Sequence, residues 1–506
     1  MSDASVCVAL RSDAPLVAVE APAGCGKTFQ GASYAREIAD TMTVGRPLIL
    51  THTHAACSVF SDRTHGSARR VEIRTIDSVI GSIASTYHLG LGLPADVAGW
   101  IRTRQDGYAE LATKVAAFLH RHPMISAALA RRHPIVVCDE HQDSSADQHA
   151  TVMSLMNQGA RLRIFADPMQ RIFREKKAKS KVASWDWDQL KGAAQVSEEL
   201  DVPHRWQKGC RDLGAWCLAA RTALRANGTI DLHGPLPSSI TVVYAENRAQ
   251  RNLDYQLSCA DRKCVDTFER QQTSLLILTH HNKTARSLCS FFFRRIPLWE
   301  GHMRTGLEKL VSAVNAASGD RSALAAAVVA FLADVGKGFS AGAFGDRFEQ
   351  EARDGCTKAC SGKPARIQEL AGFLVKEPDH RGIAKMLHRL AELKRSEASF
   401  SDIEMDCQQE FWDAIRLGEF ATAEGGLAEL THRRAYVRPK PPPKAISNIH
   451  KAKGLECDSV ILMPCDATTF PDKLEARCLL YVALSRAMQR LLLVVSRDNP
   501  SPLFRM

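Results

Sequence analysis

Short apolar runs, each ending in a polar or glycine-containing turn, recur along the first third of the chain. They lie at residues 15–20 (PLVAVE), 47–50 (PLIL), 71–78 (VEIRTIDS), 134–138 (PIVVC) and 162–165 (LRIF). Aliphatic and β-branched runs of this length predict buried strands, and residues 29–42 between the first two have helix-forming composition. Strands that alternate with helices predict a parallel α/β sheet with ligands at the carboxyl ends of its strands.

The same pattern returns later in the chain. Apolar runs at 239–244, 274–279, 459–462 and 490–495 predict a second α/β unit, which begins near Gln195. Helical patterns dominate residues 84–132 and 300–430, and we interpret both segments as insertions between core strands. Residues 437–443 (VRPKPPP) predict a stiff polyproline connector back to the core.

Length and composition indicate a globular protein of two to four domains, because 506 residues with 45% hydrophobic content support real cores. The apolar helical stretch at 322–333 is shorter than the roughly 20 residues that span a bilayer. Residues 1–13 lack the apolar core of a secretory signal, so we expect a soluble cytoplasmic protein with reduced cysteines. The close cysteine pairs at 259/264 and 356/360 have no second pair at zinc-finger spacing, so we expect no structural zinc.

The charge balance favours an anionic polymer as partner. The formal net charge is +10 and the pI is about 8.9. We favour nucleic acid over a membrane surface because no basic amphipathic helix stands out. The basic run at 171–181, followed by Trp185 and Trp187, suits single-stranded nucleic acid, but a simple solvated loop explains that run equally well.

Residues 21–28 (APAGCGKT) lie between the first predicted strand and the first predicted helix. Gly24 and Gly26 allow consecutive backbone N–H groups to point inward, and the following helix adds its positive end, so the loop can cradle a polyphosphate. Lys27 would reach the β- and γ-phosphates, and the Thr28 hydroxyl would hold Mg²⁺. Ala21 stands where the usual pattern has glycine, and the alternative is a glycine-rich turn that binds nothing.

Acidic residues follow two of the later strands, as the second half of an NTPase site requires. Asp139 and Glu140 follow the strand at 134–138, and Gln170 lies just after the strand at 162–165. Asp139 would bind Mg²⁺, Glu140 would act as general base on the attacking water, and Gln170 would sense the γ-phosphate. Arg486 sits on an apolar helical stretch, where its burial is costly unless it meets an anion.

The order of these blocks resembles the superfamily 1 helicases of the UvrD/Rep type. In that family's terms, motif I is 21–28, motif Ia is 51–56, motif II is 139–142, motif III is 167–170, motif V is 449–456 and motif VI is 481–486. Arg205, in the segment LDVPHR, matches the motif IV arginine. The resemblance covers nearly the whole chain in order.

The resemblance implies ATP and Mg²⁺ held between two RecA-like parallel-sheet domains, with the motor moving on single-stranded DNA and on tailed or junction duplexes. The residues expected around the phosphates and the metal are Ala23, Gly24, Cys25, Gly26, Lys27, Thr28, Asp139, Glu140, Gln170, Arg205 and Arg486. Glu456 matches the residue that meets the ribose. The residues that we assign to DNA are Thr51, His52, Thr75, Trp187 and His450.

The same resemblance sets the expected domain limits. The first RecA-like domain is expected at 1–83 and 133–194, with a helical insertion at 84–132. The second is expected at 195–298 and 437–506, with a helical insertion at 299–436.

Two departures from the family pattern bear on ligand binding. Residues 1–20 contain no glutamine to read adenine, so adenine selectivity is less secure than phosphate binding. Motif III continues into Phe173, Arg174, Glu175 and Lys176 where the family has Tyr-Gly-Trp-Arg. The base-stacking platform is therefore displaced to Trp185 or Trp187, or it is reduced.

The short first insertion, and a chain that ends twenty residues after Arg486, also resemble the helicase-like subunit of the Gabija anti-phage defence system. That resemblance implies a larger ATPase and nuclease partner. Two functions therefore stay open: a DNA-dependent ATPase and translocase, 3′ to 5′ by family analogy, or a nucleotide- and DNA-end-sensing subunit that activates a partner nuclease. Unwinding of a tailed duplex by the isolated chain discriminates between them.

Overall fold

The computed structural model describes residues 2–64, 70–102, 104, 106–173, 184–246, 255–300, 304–339, 341–436 and 441–506. The chain folds into two compact units, Met1–Phe291 with Pro443–Met506, and Phe292–Pro442. The basic run at 171–181 lies outside the described residues from position 174 onward, as do residues 437–440 of the polyproline connector.

The strands fall into two large sheets and two small ones. In chain order they are β1 (Leu16–Glu20), β2 (Leu48–Thr51), β3 (Glu72–Thr75), β4 (Ile135–Cys138), β5 (Arg161–Ala166), β6 (Val196–Glu199), β7 (Ile230–Asp231), β8 (Ile240–Ala245), β9 (Leu275–Thr279), β10 (Gly336–Lys337), β11 (Glu404–Met405), β12 (Lys444–Asn448), β13 (Cys457–Cys465), β14 (Ala487–Ser496) and β15 (Phe504–Arg505).

The helices flank the large sheets or form the second unit. In chain order they are α1 (Ser2–Arg11), α2 (Lys27–Thr41), α3 (His54–Arg63), α4 (Ile76–Thr86), α5 (Val97–Arg102), α6 (Gly107–Arg121), α7 (Pro123–Arg132), α8 (Ala146–Met156), α9 (Trp187–Ala193), α10 (Arg211–Arg225), α11 (Cys259–Gln271), α12 (Asn282–Phe291), α13 (Thr305–Ala317), α14 (Arg321–Val335), α15 (Asp346–Asp354), α16 (Gly362–Lys376), α17 (His380–Ser396), α18 (Gln408–Arg416), α19 (Ala423–Tyr436) and α20 (Leu474–Leu484).

The first large sheet has six parallel strands in the order β3-β2-β4-β5-β1-β6. Strand β1 shows how its two faces are covered, because successive side chains point to opposite faces. Val17 and Val19 pack with α1, α2 and α3, whereas Leu16 and Ala18 pack with α4, α6 and α8. A sheet buried on both faces requires the nearly continuous apolar strands that the sequence shows.

The edge strand β6 corrects one expected limit. The sequence predicts that the second α/β unit begins near Gln195. In the structure β6 pairs in parallel with β1, from Val17 opposite Val196 to Glu20 opposite Glu199. These residues therefore complete the first sheet, and strand β8 is the earliest strand of the second.

The second large sheet has five parallel strands in the order β12-β9-β13-β14-β8. Its strands come from both sides of the second unit in the sequence, since β8 and β9 precede residue 292 and the other three follow residue 442. The predicted α/β fold with two parallel sheets and helical regions is confirmed.

The second unit is mainly helical, with the short antiparallel pair β10–β11. Its own core is built from leucine, isoleucine and phenylalanine side chains of α13 to α19. A buried carboxylate caps one of its helices, because Glu300 accepts hydrogen bonds from the backbone N–H groups of Gln409 and Glu410 at the start of α18. Of the helices in the described residues, none has both the length and the apolar character that crossing a bilayer requires.

Candidate nucleotide and nucleic-acid site

The loop between β1 and α2 has the backbone that a phosphate cradle needs. Gly24 and Gly26 have φ of 75° and 85°, in the left-handed region that favours glycine. A Cβ on Gly24 would lie 2.7 Å from the Cβ of Arg205, and one on Gly26 would lie 3.1 Å from Cδ2 of His204. Backbone conformation therefore favours glycine at both positions, and at Gly24 the close approach of Arg205 also leaves no room for a Cβ. Helix α2 begins at Lys27, so its positive end faces the loop.

Cys25, between the two glycines, is a packing residue. Its side chain is fully buried, and burial raises the pKa of its thiol to about 12. The thiol is therefore neutral at physiological pH and lies beneath the loop. Ala23 contributes through its backbone N–H, which donates to the Tyr481 hydroxyl.

Lys27 and Glu140 form an ion pair, which brings the phosphate-binding lysine and the expected general base together. Glu140 follows β4 with a left-handed φ of 54°, and its carboxylate also accepts a hydrogen bond from the Gln142 amide. Burial by itself would raise the pKa of Glu140, but the ammonium groups of Lys27 and Lys453 lower it to about 2. Glu140 is thus ionised and surrounded by positive charge.

Asp139 has the features of a magnesium ligand. Its carboxylate is buried, and its Oδ1 has no hydrogen-bond partner among the described residues. Burial, and then the neighbouring charge of Glu140, raise the pKa of Asp139 to about 7. A divalent cation would supply the missing partner, since Mg²⁺ prefers carboxylate oxygens. Thr28, the second residue of α2, carries the hydroxyl expected beside it.

Gln170 is held at the end of β5 by the carboxylate of Asp167. Its Nε2 donates to Asp167 Oδ2 at 2.9 Å, and both side chains are buried. The backbone N–H of Asp167 in turn donates to Gln142 Oε1 at 3.1 Å. Glu140, Gln142, Asp167 and Gln170 therefore form one hydrogen-bonded chain across the ends of β4 and β5.

Two side chains from outside the loop lie beside it: Tyr481 on α20, which precedes β14 of the second sheet, and Arg205, which follows β6 of the first sheet. The Tyr481 hydroxyl accepts a hydrogen bond from the Ala23 N–H at 2.8 Å. Arg205 donates to the Ser485 carbonyl at 2.7 Å and to Glu456 Oε1 at 2.6 Å. Its Nε is buried without a partner among the described atoms, so this guanidinium retains a donor that a phosphate oxygen would satisfy.

The guanidinium of Arg486 finds its hydrogen-bond partners among backbone carbonyls, which differs from the expectation from the sequence. The sequence predicts that an anion compensates the burial of its charge. In the structure its guanidinium donates to the carbonyls of Val482 at 2.8 Å and Leu455 at 3.2 Å. Burial, and then the charge of Arg205, lower the pKa of Arg486 to about 10, so it remains charged at neutral pH. Burial alone is thus no evidence for a phosphate contact at Arg486.

Lys453 joins the two sheets, and sequence reasoning missed it. Its Nζ donates to both carboxylate oxygens of Asp143, at 2.8 and 2.6 Å, and to the Gln170 carbonyl at 2.7 Å. Lys453 follows β12 of the second sheet, whereas Asp143 and Gln170 follow β4 and β5 of the first. A lysine and an aspartate 310 residues apart carry no local signal that they will pair.

Three residues assigned to DNA hold turns at the carboxyl ends of the first sheet. Thr51 Oγ1 donates to the Thr53 carbonyl at 3.1 Å, and Thr75 Oγ1 accepts from the Ser78 N–H as the N-cap of α4. His52 lies 3.1 Å from the Ser144 hydroxyl, and burial lowers its pKa. Their contact with DNA stays a prediction.

Trp187 requires a correction, because it cannot stack on a base. It is 5% exposed in the core beneath the first sheet, and its Nε1 donates to Glu20 at 3.0 Å. Trp185 is also buried; its Nε1 donates to the Ser144 carbonyl, and its ring stacks on His149 with centroids 4.6 Å apart. The position of Trp185 and Trp187 just after the basic run suggested that both rings lie at the surface. In the structure both rings are buried, because packing them removes large apolar surfaces from water.

A partly exposed aromatic strip lies instead beside Lys453. Phe173 is 46% exposed, and its ring centroid is 6.0 Å from that of His450. His450 is 5.9 Å from His280, which stacks on His281 at 4.1 Å. Burial, and then nearby His280, lower the pKa of His450 to about 4, so its ring is neutral at physiological pH. We call Phe173, His450, His280 and His281 the aromatic strip. His450 of this strip was assigned to DNA from the sequence, and its contact with DNA stays a prediction, whereas Phe173, His280 and His281 were not assigned.

Two family models match segments of the chain. Residues 97–184 match the UvrD/REP helicase N-terminal domain, and residues 444–494 match the UvrD-like helicase C-terminal domain. The first segment includes β4, β5 and the acidic strand ends, and the second includes β12, β13 and α20. A search of curated proteins found no match.

Proposed function

We propose that ATP hydrolysis between the two parallel sheets drives movement along single-stranded DNA, as in the UvrD/REP helicases whose N- and C-terminal domain models match residues 97–184 and 444–494. The observation that carries this proposal is the bridge formed by Lys453. This side chain links the γ-phosphate sensor Gln170 to the segment that bears His450 of the aromatic strip.

The phosphates would lie in the loop at 23–28, with Lys27 neutralising the β- and γ-phosphates. When Lys27 turns from Glu140 to the phosphates, the lowering effect of its charge on the pKa of Glu140 diminishes, and burial raises that pKa. Glu140 then becomes a better acceptor for the proton of the attacking water. The ion pair thus keeps the base weak until the substrate has drawn Lys27 away.

Mg²⁺ held by Asp139 and Thr28 would offset negative charge on the β- and γ-phosphate oxygens. Arg205 would donate to a phosphate oxygen through its Nε, which has no partner within the described part of the chain. Glu456 lies at hydrogen-bond distance from Arg205, which supports its proposed place near the ribose on the same side of the site. Arg486 would approach the γ-phosphate by exchanging carbonyl contacts for the anion.

The aromatic strip would bind the bases of a single strand. Stacking on aromatic rings tolerates any sequence, because every base has a π-face. Lys453 lies 5.1 Å from the Phe173 ring centroid, so a positive charge is available beside the stacking surface. A change in the distance between Lys453 and Gln170 during the ATP cycle would therefore move one end of the strip relative to the other.

The test is ATP hydrolysis by the purified chain with and without single-stranded DNA, beside Lys27→Ala. We expect strong stimulation by DNA, and loss of hydrolysis in the variant because the phosphate-neutralising charge is gone. Hydrolysis at the wild-type rate in Lys27→Ala would contradict the site assignment. Absence of stimulation by DNA would contradict the motor.

We propose 3′ to 5′ movement from the resemblance of the motif order to UvrD-type helicases. We propose a Gabija-like ATPase and nuclease partner, and a role in anti-phage defence, from resemblance alone. A tailed duplex tests the polarity, and a tailed or junction duplex also tests unwinding. A chain that hydrolyses ATP on single strands yet separates no duplex would favour the alternative function, a subunit that senses nucleotide and DNA ends for a partner nuclease.

A further inference from the structure

A buried arginine outside the recognised motifs meets the ends of three neighbouring strands. Arg221 lies on α10 and is 3% exposed. Its guanidinium contacts the carboxylates of Glu20, Asp167 and Glu199, which follow or end strands β1, β5 and β6. Burial disfavours the charge of Arg221, but Asp167, Tyr481 and Glu199 together more than compensate, so the pKa of Arg221 is raised.

Asp167 connects this arginine to the proposed γ-phosphate sensor. Nε and one terminal nitrogen of Arg221 both donate to Asp167 Oδ1 at 3.1 Å. The other oxygen, Oδ2, accepts from Gln170 Nε2 at 2.9 Å. A side-chain amide has two N–H donors, so one fixes Gln170 to Asp167 and the second is left for a phosphate oxygen.

Glu20 and Asp167 depend on Arg221 to different degrees. Glu20 also receives hydrogen bonds from Arg225, one turn later on α10, and from Trp187. Arg225 contacts Glu20 and Asp188, whereas the guanidinium contacts of Asp167 come from Arg221. Loss of Arg221 would thus leave Glu20 paired, whereas Asp167, which holds Gln170, would lose its guanidinium partner and keep the Met169 N–H at 3.2 Å.

Helix α10 is attached to the second sheet. Cys217 Sγ donates to the Leu484 carbonyl of α20 at 3.7 Å, and Arg477 of α20 donates to the Leu224 carbonyl of α10 at 3.4 Å. Helix α20 also bears Tyr481, which contacts the phosphate loop. Arg221 therefore reaches from a helix that is packed on α20 to the strand ends of the first sheet.

We propose that Arg221 is a positioning residue that orients Gln170 through Asp167, so that γ-phosphate sensing depends on the placement of α10 and α20. This inference rests on the proposed function, because it requires Gln170 at the phosphate. A purely structural ion pair would affect folding and leave the turnover of the folded enzyme unchanged.

The test compares Arg221→Lys with Arg225→Lys in DNA-stimulated ATP hydrolysis by the full chain. Lysine keeps the charge but loses the fork through which Arg221 donates twice to Asp167. We expect Arg221→Lys to lower kcat on the order of tenfold, as outer-shell partners do at metal sites, with KM unchanged. Arg225→Lys is the matched control on the same helix, and its kcat should equal that of the wild type.

A double variant separates action through Gln170 from general damage. Gln170→Ala combined with Arg221→Lys should be no slower than Gln170→Ala alone, because the step that Arg221 serves is already lost. Wild-type kcat in Arg221→Lys, losses that multiply in the double variant, or an equal loss in Arg225→Lys would each overturn the inference. If Arg221→Lys does not fold, Asp167→Asn replaces it in the same comparison with Gln170→Ala, because it changes the other partner of the contact.

The proposed function and the positioning role of Arg221 can be disproved separately. If Gln170→Ala hydrolyses ATP as fast as the wild type, the assignment of Gln170 in the proposed function is wrong. If Gln170→Ala is slow while Arg221→Lys keeps the wild-type rate, Arg221 has no positioning role and the proposed function stands.

Discussion

Burial and neighbouring charges together set the pKa values of single residues in this site. Glu140 is partly buried, which by itself raises its pKa, yet two lysines lower that pKa to about 2. Asp139, its neighbour, has a pKa of about 7 because burial and the charge of Glu140 act in the same direction. Adjacent carboxylates with separated pKa values suit different roles, one in proton transfer and one at a metal.

Glu140→Gln should retain ATP binding and lose turnover. The amide keeps the shape of the side chain but cannot accept the proton of the attacking water, so kcat should fall by roughly 10²-fold or more. Fluorescent-nucleotide binding and single-turnover hydrolysis measure the two effects separately. Turnover near that of the wild type would mean that another group is the base.

Trp187→Phe should affect stability but not DNA binding, whereas Phe173→Ala should affect DNA binding but not stability. Trp187→Phe removes a donor to buried Glu20 and should lower the free energy of unfolding by about 1.5–3 kcal/mol, with DNA affinity unchanged. Phe173→Ala should weaken binding of a single strand by about 1–3 kcal/mol, with stability unchanged. Fluorescence anisotropy and thermal melts check both. Weakened DNA binding in Trp187→Phe would restore the original assignment.

At the level of elements, the turns after β4 and β12 hold the two sheets together. Helix α8 begins with a capping box in which Ser145 and Gln148 exchange hydrogen bonds. This fixes His149, whose Nδ1 lies 2.9 Å from His141 Nε2. Lys453 then reaches the same segment through Asp143. The packing of His141 and His149 thus holds the segment after β4 in place, and the ion pair of Lys453 with Asp143 joins that segment to the second sheet.

His149 makes stability sensitive to acid. Burial lowers the pKa of His149 to about 4, whereas in the unfolded chain it is about 6.5. The unfolded state therefore binds more protons between these values, and stability falls as the pH drops from 6.5 to 4. At pH 5 the free energy of unfolding should be about 2 kcal/mol lower than at neutral pH because of His149. Denaturant melts of His149→Gln and the wild type at pH 7.5 and 5 measure the difference; an unchanged pH dependence would contradict it.

Lys453→Met should uncouple hydrolysis from DNA. The variant loses its contacts with Asp143 and the Gln170 carbonyl, so we expect basal hydrolysis to persist while stimulation by single-stranded DNA is lost. Asp143→Asn, which weakens the same contact from the other side, is the matched variant. Full stimulation in both would show that coupling runs through other contacts.

The whole molecule consists of two compact units with separate cores, and each can respond to its own perturbation. All residues assigned to ATP lie in the unit formed by Met1–Phe291 and Pro443–Met506. A ligand that binds the native state stabilises the unit that contains its site. Two unfolding transitions are therefore expected, and ATP should raise the transition of that unit.

Phe348→Ala should lower only the transition of the helical unit. Phe348 is fully buried and stacks on Phe344 with centroids 5.5 Å apart, so its loss should cost about 3–5 kcal/mol. Calorimetry with and without ATP measures both transitions. The control is Phe165→Ala in the first sheet, which should lower the ATP-stabilised transition instead. A shift of the same transition by both substitutions would argue for a single cooperative unit.

The sequence by itself determined the elements and the local chemistry. Apolar runs define strands β1, β2, β4 and β5, since backbone hydrogen bonding and burial of each strand follow from local periodicity. The phosphate loop was equally readable, because the glycine requirement at Gly24 and Gly26 is a local backbone property. Acidic residues at strand ends were predictable because parallel strands bring their carboxyl ends to one edge.

Only the tertiary structure decided which side chains meet across the two sheets. The partners of Lys453 and Arg221 lie far away in the chain, and packing selects such pairs without a sequence pattern that reveals them. The exposure of Phe173 and the burial of Trp187 were settled in the same way, because neighbours distant in the chain determine how much water reaches a ring. Local periodicity encodes elements, whereas long-range packing builds the site.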